Sequence, residues 1–356
     1  MPTIHSNDPG PSNDAGPSND PGPSNDPGPS NDAGPSNDPG PPGGAREIDA
    51  VLVVSFGGPE GPDDVMPFLR NVTRGRGISD KRLAAVAEHY HLFGGVSPIN
   101  QHNRDLIAAL SDELARRGAA LPVYWGNRNW SPMLADTVAQ MRDDGISRAM
   151  GFVTSAFGSY SGCRQYSEDI ERARAAVGPD APVIHKLPPF WDQEGFLSAK
   201  ADRLAAARQD EPTAPVVFTA HSIPESMAAT APYVAQLNEA CRRVATRTGA
   251  SEWCLAYQSR SGPPQVPWLE PDIGDELERL ASEGADAVIV APIGFVADHM
   301  EVIYDLDIEA RQRAEAVGLR FTRVPTVGTH PAFVEMIADL VLAPPPAPCP
   351  ADCCLR

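Results

Sequence analysis

The residues with chemistry in them gather in two short stretches. In the first, Val216-Val217-Phe218-Thr219-Ala220 runs straight into His221-Ser222-Ile223-Pro224. In the second, Ala287-Val288-Ile289-Val290-Ala291-Pro292-Ile293-Gly294-Phe295 leads to Asp298, His299 and Glu301. Each opens as an unbroken apolar, β-branched run, the pattern of a strand buried on both faces of a parallel sheet. Each then delivers titratable side chains just past the strand's carboxyl end, the edge where open α/β sheets bind ligands. A histidine and a carboxylate brought there by two strands can accept protons and hold a cation. Glu301, Asp305 and Glu309 recur at i, i+4 and i+8, so a helix over 301–316 lines three carboxylates on one face. Like charges at that spacing oppose a helix by about 0.2–0.5 kcal/mol per pair, and no Lys or Arg lies between Glu301 and Glu309. Such a row suits a path for a divalent cation; the plain alternative is a solvated acidic helix face.

The elements that must position these groups follow from hydrophobic period. Strands are predicted over 50–56, 122–126, 149–155, 182–186, 215–220, 253–258, 287–293 and 320–324. Helical patterns lie over 83–91, 103–117, 133–144, 166–177, 194–208, 232–248, 274–283, 301–316 and 331–342. The alternation predicts an α/β fold of two similar Rossmann-like halves, each a parallel four-stranded sheet flanked by helices, with the active-site cleft between them. Residues 45–190 form the first half and 191–330 the second; 331–356 hold a last helix and a cysteine tail. Several strands end in turn residues at one edge: Ser55-Phe56-Gly57-Gly58-Pro59, Gly126-Asn127-Arg128, Thr154-Ser155-Ala156 and Tyr257-Gln258-Ser259. The first lacks the G-x-G-x-x-G spacing of a dinucleotide loop.

Residues 1–44 stand apart. From Ser6 to Pro41 the chain repeats Ser-Asn-Asp-(Pro/Ala)-Gly-Pro six times. This tract has no apolar face with which to offset the entropy of ordering, so it is predicted to be disordered. Its six aspartates account for part of the formal net charge of −18, leaving about −12 on the rest. That sign argues against a nucleic-acid partner and against an anionic membrane surface. No apolar run reaches the roughly 20 residues of a membrane span, so the chain is expected to be soluble and cytoplasmic; a monomer is expected, though nothing in the composition fixes the oligomeric state. Of six cysteines, Cys241 and Cys254 read as ordinary buried thiols. Cys163, Cys349, Cys353 and Cys354 remain, three of them in the terminal run Cys349-Pro350-Ala351-Asp352-Cys353-Cys354.

From Val51 to Leu342 the chain resembles the ferrochelatases, enzymes that insert ferrous iron into a porphyrin. The resemblance is carried by Ser55-Phe56-Gly57-Gly58-Pro59, Phe218-Thr219-Ala220-His221-Ser222-Ile223-Pro224, Tyr257-Gln258-Ser259, Pro292-Ile293-Gly294-Phe295, Asp298-His299-Met300-Glu301 and Tyr304-Asp305-Leu306-Asp307. It implies catalytic roles for His221 and Glu301, acting from opposite faces of the ring. It also implies a metal path over His221, Glu301, Asp305 and Glu309, with ferrous iron and a porphyrin as substrates. Porphyrin contacts are expected at Ser55, Phe56, Arg74, Arg128, Tyr160, Tyr257 and Gln258. One departure is the run Ala228-Ala229-Thr230-Ala231-Pro232-Tyr233, where many members carry a Gly-Asp pair.

Membrane-bound members that use protoporphyrin carry an apolar lip after the first strand. Here the corresponding stretch, Phe68-Leu69-Arg70-Asn71-Val72-Thr73-Arg74-Gly75-Arg76-Gly77, is polar and basic. Arginines there suit carboxylates, of which coproporphyrin has four and protoporphyrin two. The chain thus resembles the soluble, coproporphyrin-using branch of Gram-positive, actinobacterial type; protoporphyrin, a cobalt or nickel chelatase, and a non-catalytic tetrapyrrole or iron carrier are the alternatives. Some members also hold a [2Fe–2S] cluster, and Cys163, Cys349, Cys353 and Cys354 supply the four thiolates it needs; a zinc-binding or redox-active tail is the other reading.

Overall fold

The computed structural model describes residues 48–262, 265–347, 349–350 and 353–355. The repeat, expected to be disordered, lies outside the described residues. Among the described residues, eight strands form two parallel sheets. β1 (Ala50–Ser55), β2 (Val123–Asn127), β3 (Arg148–Val153) and β4 (Val183–Lys186) lie in the order β2-β1-β3-β4. β5 (Val216–His221), β6 (Trp253–Gln258), β7 (Ala287–Ala291) and β8 (Arg320–Arg323) lie in the order β6-β5-β7-β8. The two halves therefore repeat one topology, and all predicted strands are present to within about two residues. β1 and β7 are buried along their whole length, as apolar runs without alternation require.

The helices are α1 (Pro62–Val72), α2 (Asp80–His91), α3 (Ile99–Arg116), α4 (Leu134–Asp143), α5 (Gln165–Val177), α6 (Glu194–Ala207), α7 (Glu225–Ala228), α8 (Tyr233–Thr248), α9 (Ile273–Ser282), α10 (Met300–Tyr304), α11 (Arg311–Ala316) and α12 (Pro331–Leu342). Hydrophobic period does not reveal α1, because Pro62 and Pro67 read as breakers. Pro62 opens the helix, where its missing N–H is no loss, and only Pro67 interrupts the ladder. α1 turns Val65, Phe68 and Leu69 inward against Leu83 and Ala87 of α2. Thus the stretch read as a polar lip is amphipathic: Phe68 and Leu69 are buried, Arg70 pairs with Asp80 at 3.1 Å, and Arg74 stands exposed. Among the described residues no helix is long and apolar enough to cross a membrane.

An aromatic cluster joins the halves. Phe152 of β3, Phe190, Phe196 of α6 and Phe333 of α12 pack with ring centroids 5.1–6.2 Å apart. α12 reaches this cluster because Gly195 lets it close on α6; a Cβ at Gly195 would meet the Ala332 carbonyl oxygen at 2.2 Å. The last helix is therefore a wedge in the shared core, which sets the two sheets as one body with their carboxyl edges in fixed relation.

Candidate active site

His221 is the last residue of β5 and pairs in register with Gln258 of β6. Its Nδ1 lies 2.5 Å from the Ser222 carbonyl oxygen. A carbonyl only accepts, so Nδ1 carries the hydrogen and Nε2 is left with its lone pair. The Tyr233 hydroxyl donates to the His221 carbonyl at 3.0 Å, fixing the backbone beneath the ring.

After β7 the chain crosses β5. The Gly294 N–H donates to the Thr219 carbonyl at 3.0 Å, and a Cβ at Gly294 would meet Ala220 Cβ at 2.7 Å. Only glycine lets the loop lie this close to the strand that carries His221. The loop then turns at His299, half-buried and edge-on to Phe295, with ring centroids 5.3 Å apart. Burial pushes the His299 imidazole below its ordinary pKa, while the Glu301 carboxylate pulls it back. Glu301 sits in the first turn of α10, and its Oε2 lies 3.7 Å from His221 Nε2.

That distance corrects one expectation. A ring held between two groups needs a van der Waals contact of about 3.5 Å on each side, roughly 7 Å in all. His221 and Glu301 face one another with no such gap, so in this geometry they address the same face. Two ligands each about 2.1 Å from a shared divalent ion can stand up to ~4.2 Å apart, and 3.7 Å lies inside that limit.

The helix beyond Glu301 also differs from expectation. Instead of a continuous α-helix to 316, residues Asp305–Ala310 form a wide π-type turn before α11. The extra residue in that turn brings Glu309 to hydrogen-bond Tyr304, five residues earlier, and leaves Glu309 exposed. Asp305 turns inward. It accepts a hydrogen bond from the Ser259 hydroxyl, with Gln258 Nε2 at 3.5 Å. Burial pushes its carboxyl up to about 7, and repulsion from Glu301 and Glu309 adds to the shift. Gln258 also donates to the Glu301 carbonyl at 3.1 Å. Ser259 has φ +62°, a left-handed conformation that a non-glycine residue adopts at some strain. π-type turns and strained residues both concentrate at functional sites.

The first half closes over this edge. His89 of α2 stacks on Tyr304 with centroids 3.8 Å apart and rings within 10° of parallel. Burial raises the pKa of Tyr90, and the Glu301 and Asp305 carboxylates raise it further; the raised pKa of Tyr166, on α5, carries a smaller push from Glu301. Glu301 therefore lies where both halves meet. His89, Tyr90 and His102 (whose charge reaches His299) were not singled out from sequence, because each sits in an ordinary helical pattern; Ser259 stood in the strand-end run Tyr257-Gln258-Ser259, with no role assigned to it.

The expected wall residues divide. Tyr257 and Gln258 flank the pair; burial pushes the Tyr257 hydroxyl up to about 12. Ser55 is fully buried, its hydroxyl with no hydrogen-bond partner among the described residues. Phe56 packs edge-on to Phe68, with centroids 6.3 Å apart. Arg128 is turned away from a free carboxylate role. It pairs with Asp169 at 2.5 Å and lies over the Tyr166 ring at 4.5 Å. The Tyr160 hydroxyl donates to Glu168 at 3.0 Å.

The terminal thiols return to Cys163. Cys353 and Cys354 have Sγ atoms 3.6 Å apart, Cys354 is buried, and Lys186 Nζ lies 3.2 Å from Cys163 Sγ. Burial raises the pKa of Cys349 and pushes that of Cys354 up to about 12; charge on Cys163 and Cys353 would raise both further. Among the described residues, no three His, Cys, Asp or Glu side chains are already gathered around a single ion position. Cys241 is fully buried and Cys254 donates to Glu276 at 2.9 Å, so neither belongs to this group.

Two repeated parallel sheets with a histidine–carboxylate pair at their carboxyl edges are the arrangement of a metal chelatase. A solved sirohydrochlorin chelatase, SirB from Bacillus subtilis subspecies spizizenii in complex with cobalt, shares this fold at a TM-score of 0.50 and 12% identity, over 83% of this chain and 94% of that one. Residues 48–344 match the family model for ferrochelatase, and the chain belongs to that family. It is 54% identical over 307 residues to the coproporphyrin III ferrochelatase of Nocardia farcinica, covering 83% of this chain and 87% of that relative. It is 55% identical over 301 residues to that of Mycolicibacterium smegmatis, covering 82% and 88%.

Proposed function

We propose that this ferrochelatase inserts ferrous iron into coproporphyrin III, with His221 and Glu301 acting together on one face of the ring. The observation that carries the reading is the pair itself: an Nε2 lone pair held toward a carboxylate 3.7 Å away, at the junction of the halves. Metallation removes two pyrrole protons and brings in a cation freed of water. His221 Nε2 takes a proton, and the Glu301 carboxylate beside it stabilises the imidazolium formed. Glu301 and His221 are also close enough to hold the iron before transfer. Asp305, with its carboxyl near 7, takes or passes a proton at neutral pH, and Glu309 marks the solvent end of the row. Ser55, Phe56, Tyr257 and Gln258 line the approach, and Tyr160 and Arg128 brace it. The exposed Arg74 is free to meet a substrate carboxylate at the rim. Support for coproporphyrin comes from this basic rim and from the high identity to relatives that bear its name.

Anaerobic protein mixed with Fe²⁺ and either coproporphyrin III or protoporphyrin IX tests this through the porphyrin absorption bands. Coproporphyrin is expected to metallate at least tenfold faster. Faster use of protoporphyrin would overturn the substrate assignment and keep the chelatase; porphyrin binding without metallation by either would point to a carrier.

We further propose that Cys163, Cys349, Cys353 and Cys354 hold a [2Fe–2S] cluster. What supports the reading is proximity: Cys349 lies within electrostatic reach of Cys163 and Cys353, Cys354 within reach of all three, and Lys186 stands beside Cys163 to offset thiolate charge. Bound there, the cluster would supply a redox-active crosslink between the tail and the first half. Hydrogen bonds already tie this tail down, from Arg164 to the Cys353 carbonyl at 3.0 Å and from Thr230 to the Leu355 carbonyl at 2.8 Å. Cys353→Ser is expected to remove the visible charge-transfer bands of anaerobically purified protein. Bands of undiminished intensity would sink the assignment.

A further inference from the structure

α6 carries a lysine that the chemistry above does not use. Lys200 is only 5% exposed, and around it stand Phe218 of β5, Ala291 of β7, Val244 of α8 and Val324 just past β8. Lysine is almost never fully buried unless paired, and a leucine or methionine would fill the space without desolvating a charge. The ammonium donates to the Pro292 carbonyl at 2.7 Å and the Phe295 carbonyl at 2.5 Å, and lies over the Phe196 ring at 5.4 Å. Those two carbonyls bracket Gly294, the point at which the loop presses on β5 beside His221.

We propose that Lys200 is a positioning residue for iron insertion, its buried ammonium fastening the Pro292–Phe295 loop from beneath and so fixing where Glu301 meets His221. The inference rests on the proposed roles of that pair. Downstream, Arg323 of β8 holds Asp298 and Asp307 at 2.6 Å each. Arg323 thus grips carboxylates at the loop's far end, whereas Lys200 grips the backbone where the loop leaves β7. With both ends held, the loop has one path from β7 to α10. Desolvation pushes the Lys200 ammonium down to about 7, and Asp298 pulls the other way. The titratable groups that face Lys200 are Asp298 on the loop and Cys241 on α8, the thiol held neutral by burial. β5 and β7 present Phe218 and Ala291 there, and the residue after β8 presents Val324, none of them titratable. A neutral amine still has two N–H donors for the two carbonyls, and a loop opening that exposes Lys200 takes up a proton once the buried group is neutral, so the closed loop is favoured further as pH rises above about 7.

Two measurements test this. In Lys200→Met, kcat for iron insertion is expected to fall roughly 10–100-fold, the loss that accompanies a misplaced catalytic group. The KM for iron should rise, the KM for porphyrin should stay within twofold, and hydrogen exchange should quicken at Gly294 and Phe295 but not in β1–β4. In the unaltered enzyme, which needs no variant to fold, the same two amides should gain protection as pH rises above about 7, after correction for intrinsic exchange. Unchanged kcat in Lys200→Met, or amides whose protection is flat with pH, would overturn the proposal. If Lys200→Met frees the loop and Glu301→Gln retains full activity, the failure lies instead with the role given to Glu301.

Discussion

His221→Ala is expected to lower the rate of iron insertion by about 10²–10⁴-fold, the range for loss of a positioned proton acceptor, while porphyrin still binds. The expectation follows from the hydrogen-bond geometry. Nδ1 is committed to the Ser222 carbonyl, so Nε2 is the ring's one available base, and it faces Glu301. Alanine removes that lone pair and opens a gap that water can enter but not fill as a base of comparable strength. Porphyrin affinity should change little, since Ser55, Phe56 and Tyr257 are placed by other strands and by packing that His221 does not support. The fold should also persist: the strand core Val216–Ala220 is buried independently of the side chain at its end. Steady-state rates with Fe²⁺, alongside porphyrin titration by fluorescence quenching, separate the two effects. Turnover within tenfold of the parent would show that another group takes the pyrrole proton. A carrier would show unaltered porphyrin binding in both proteins and metallation in neither.

What the amino-acid sequence reveals of this molecule follows from which physical signals are local. Strands buried on both faces leave long apolar runs, so β1, β5 and β7 and the residues at their carboxyl ends could be read directly, His221 among them. Glu301 was legible because it follows such a strand at short range. The π-type turn at Asp305–Ala310 was not, because one additional residue in a turn leaves the apolar spacing almost unchanged. Arg128 read as a substrate ligand because its partner, Asp169, arrives from α5, far away in the chain. Lys200 sits where an amphipathic helix permits a polar residue; only the tertiary fold shows that position to be covered. The assignment of His221 and Glu301 to opposite faces failed for the same reason, since the separation of two strand-end groups depends on how Gly294 seats the loop on Ala220.

Glu301→Gln is expected to reduce iron insertion by about 10²-fold or more and, unlike most active-site changes, to stabilise the protein at alkaline pH. Glutamine keeps the shape and the acceptor oxygen but loses the negative charge that would stabilise an imidazolium at His221 and attract the cation. The rate should therefore fall with little change in porphyrin affinity. The stability effect comes through Asp305. Its folded pKa, about 7, lies above the unfolded carboxyl value, with burial the main cause and Glu301 among the additional ones. A group whose pKa is raised on folding adds stability when protonated, and that contribution disappears as pH rises through the folded value. Above about pH 7 the parent therefore bears a buried Asp305 charge beside Glu301; below about pH 5 Asp305 is protonated and that repulsion is gone. Glu301→Gln should melt a few degrees above the parent at pH 8, with the difference shrinking toward pH 5. Thermal melts at the two pH values, with rates measured on the same preparations, decide the matter. Equal melting differences at both pH values would show that Asp305 and Glu301 do not share a field, and undiminished rates would remove the carboxylate from the chemistry. Slower turnover together with a pH-dependent gain in stability would identify Glu301 as a charge held in place for reaction at the expense of the fold, which is the trade expected where like charges are lined up to receive a cation.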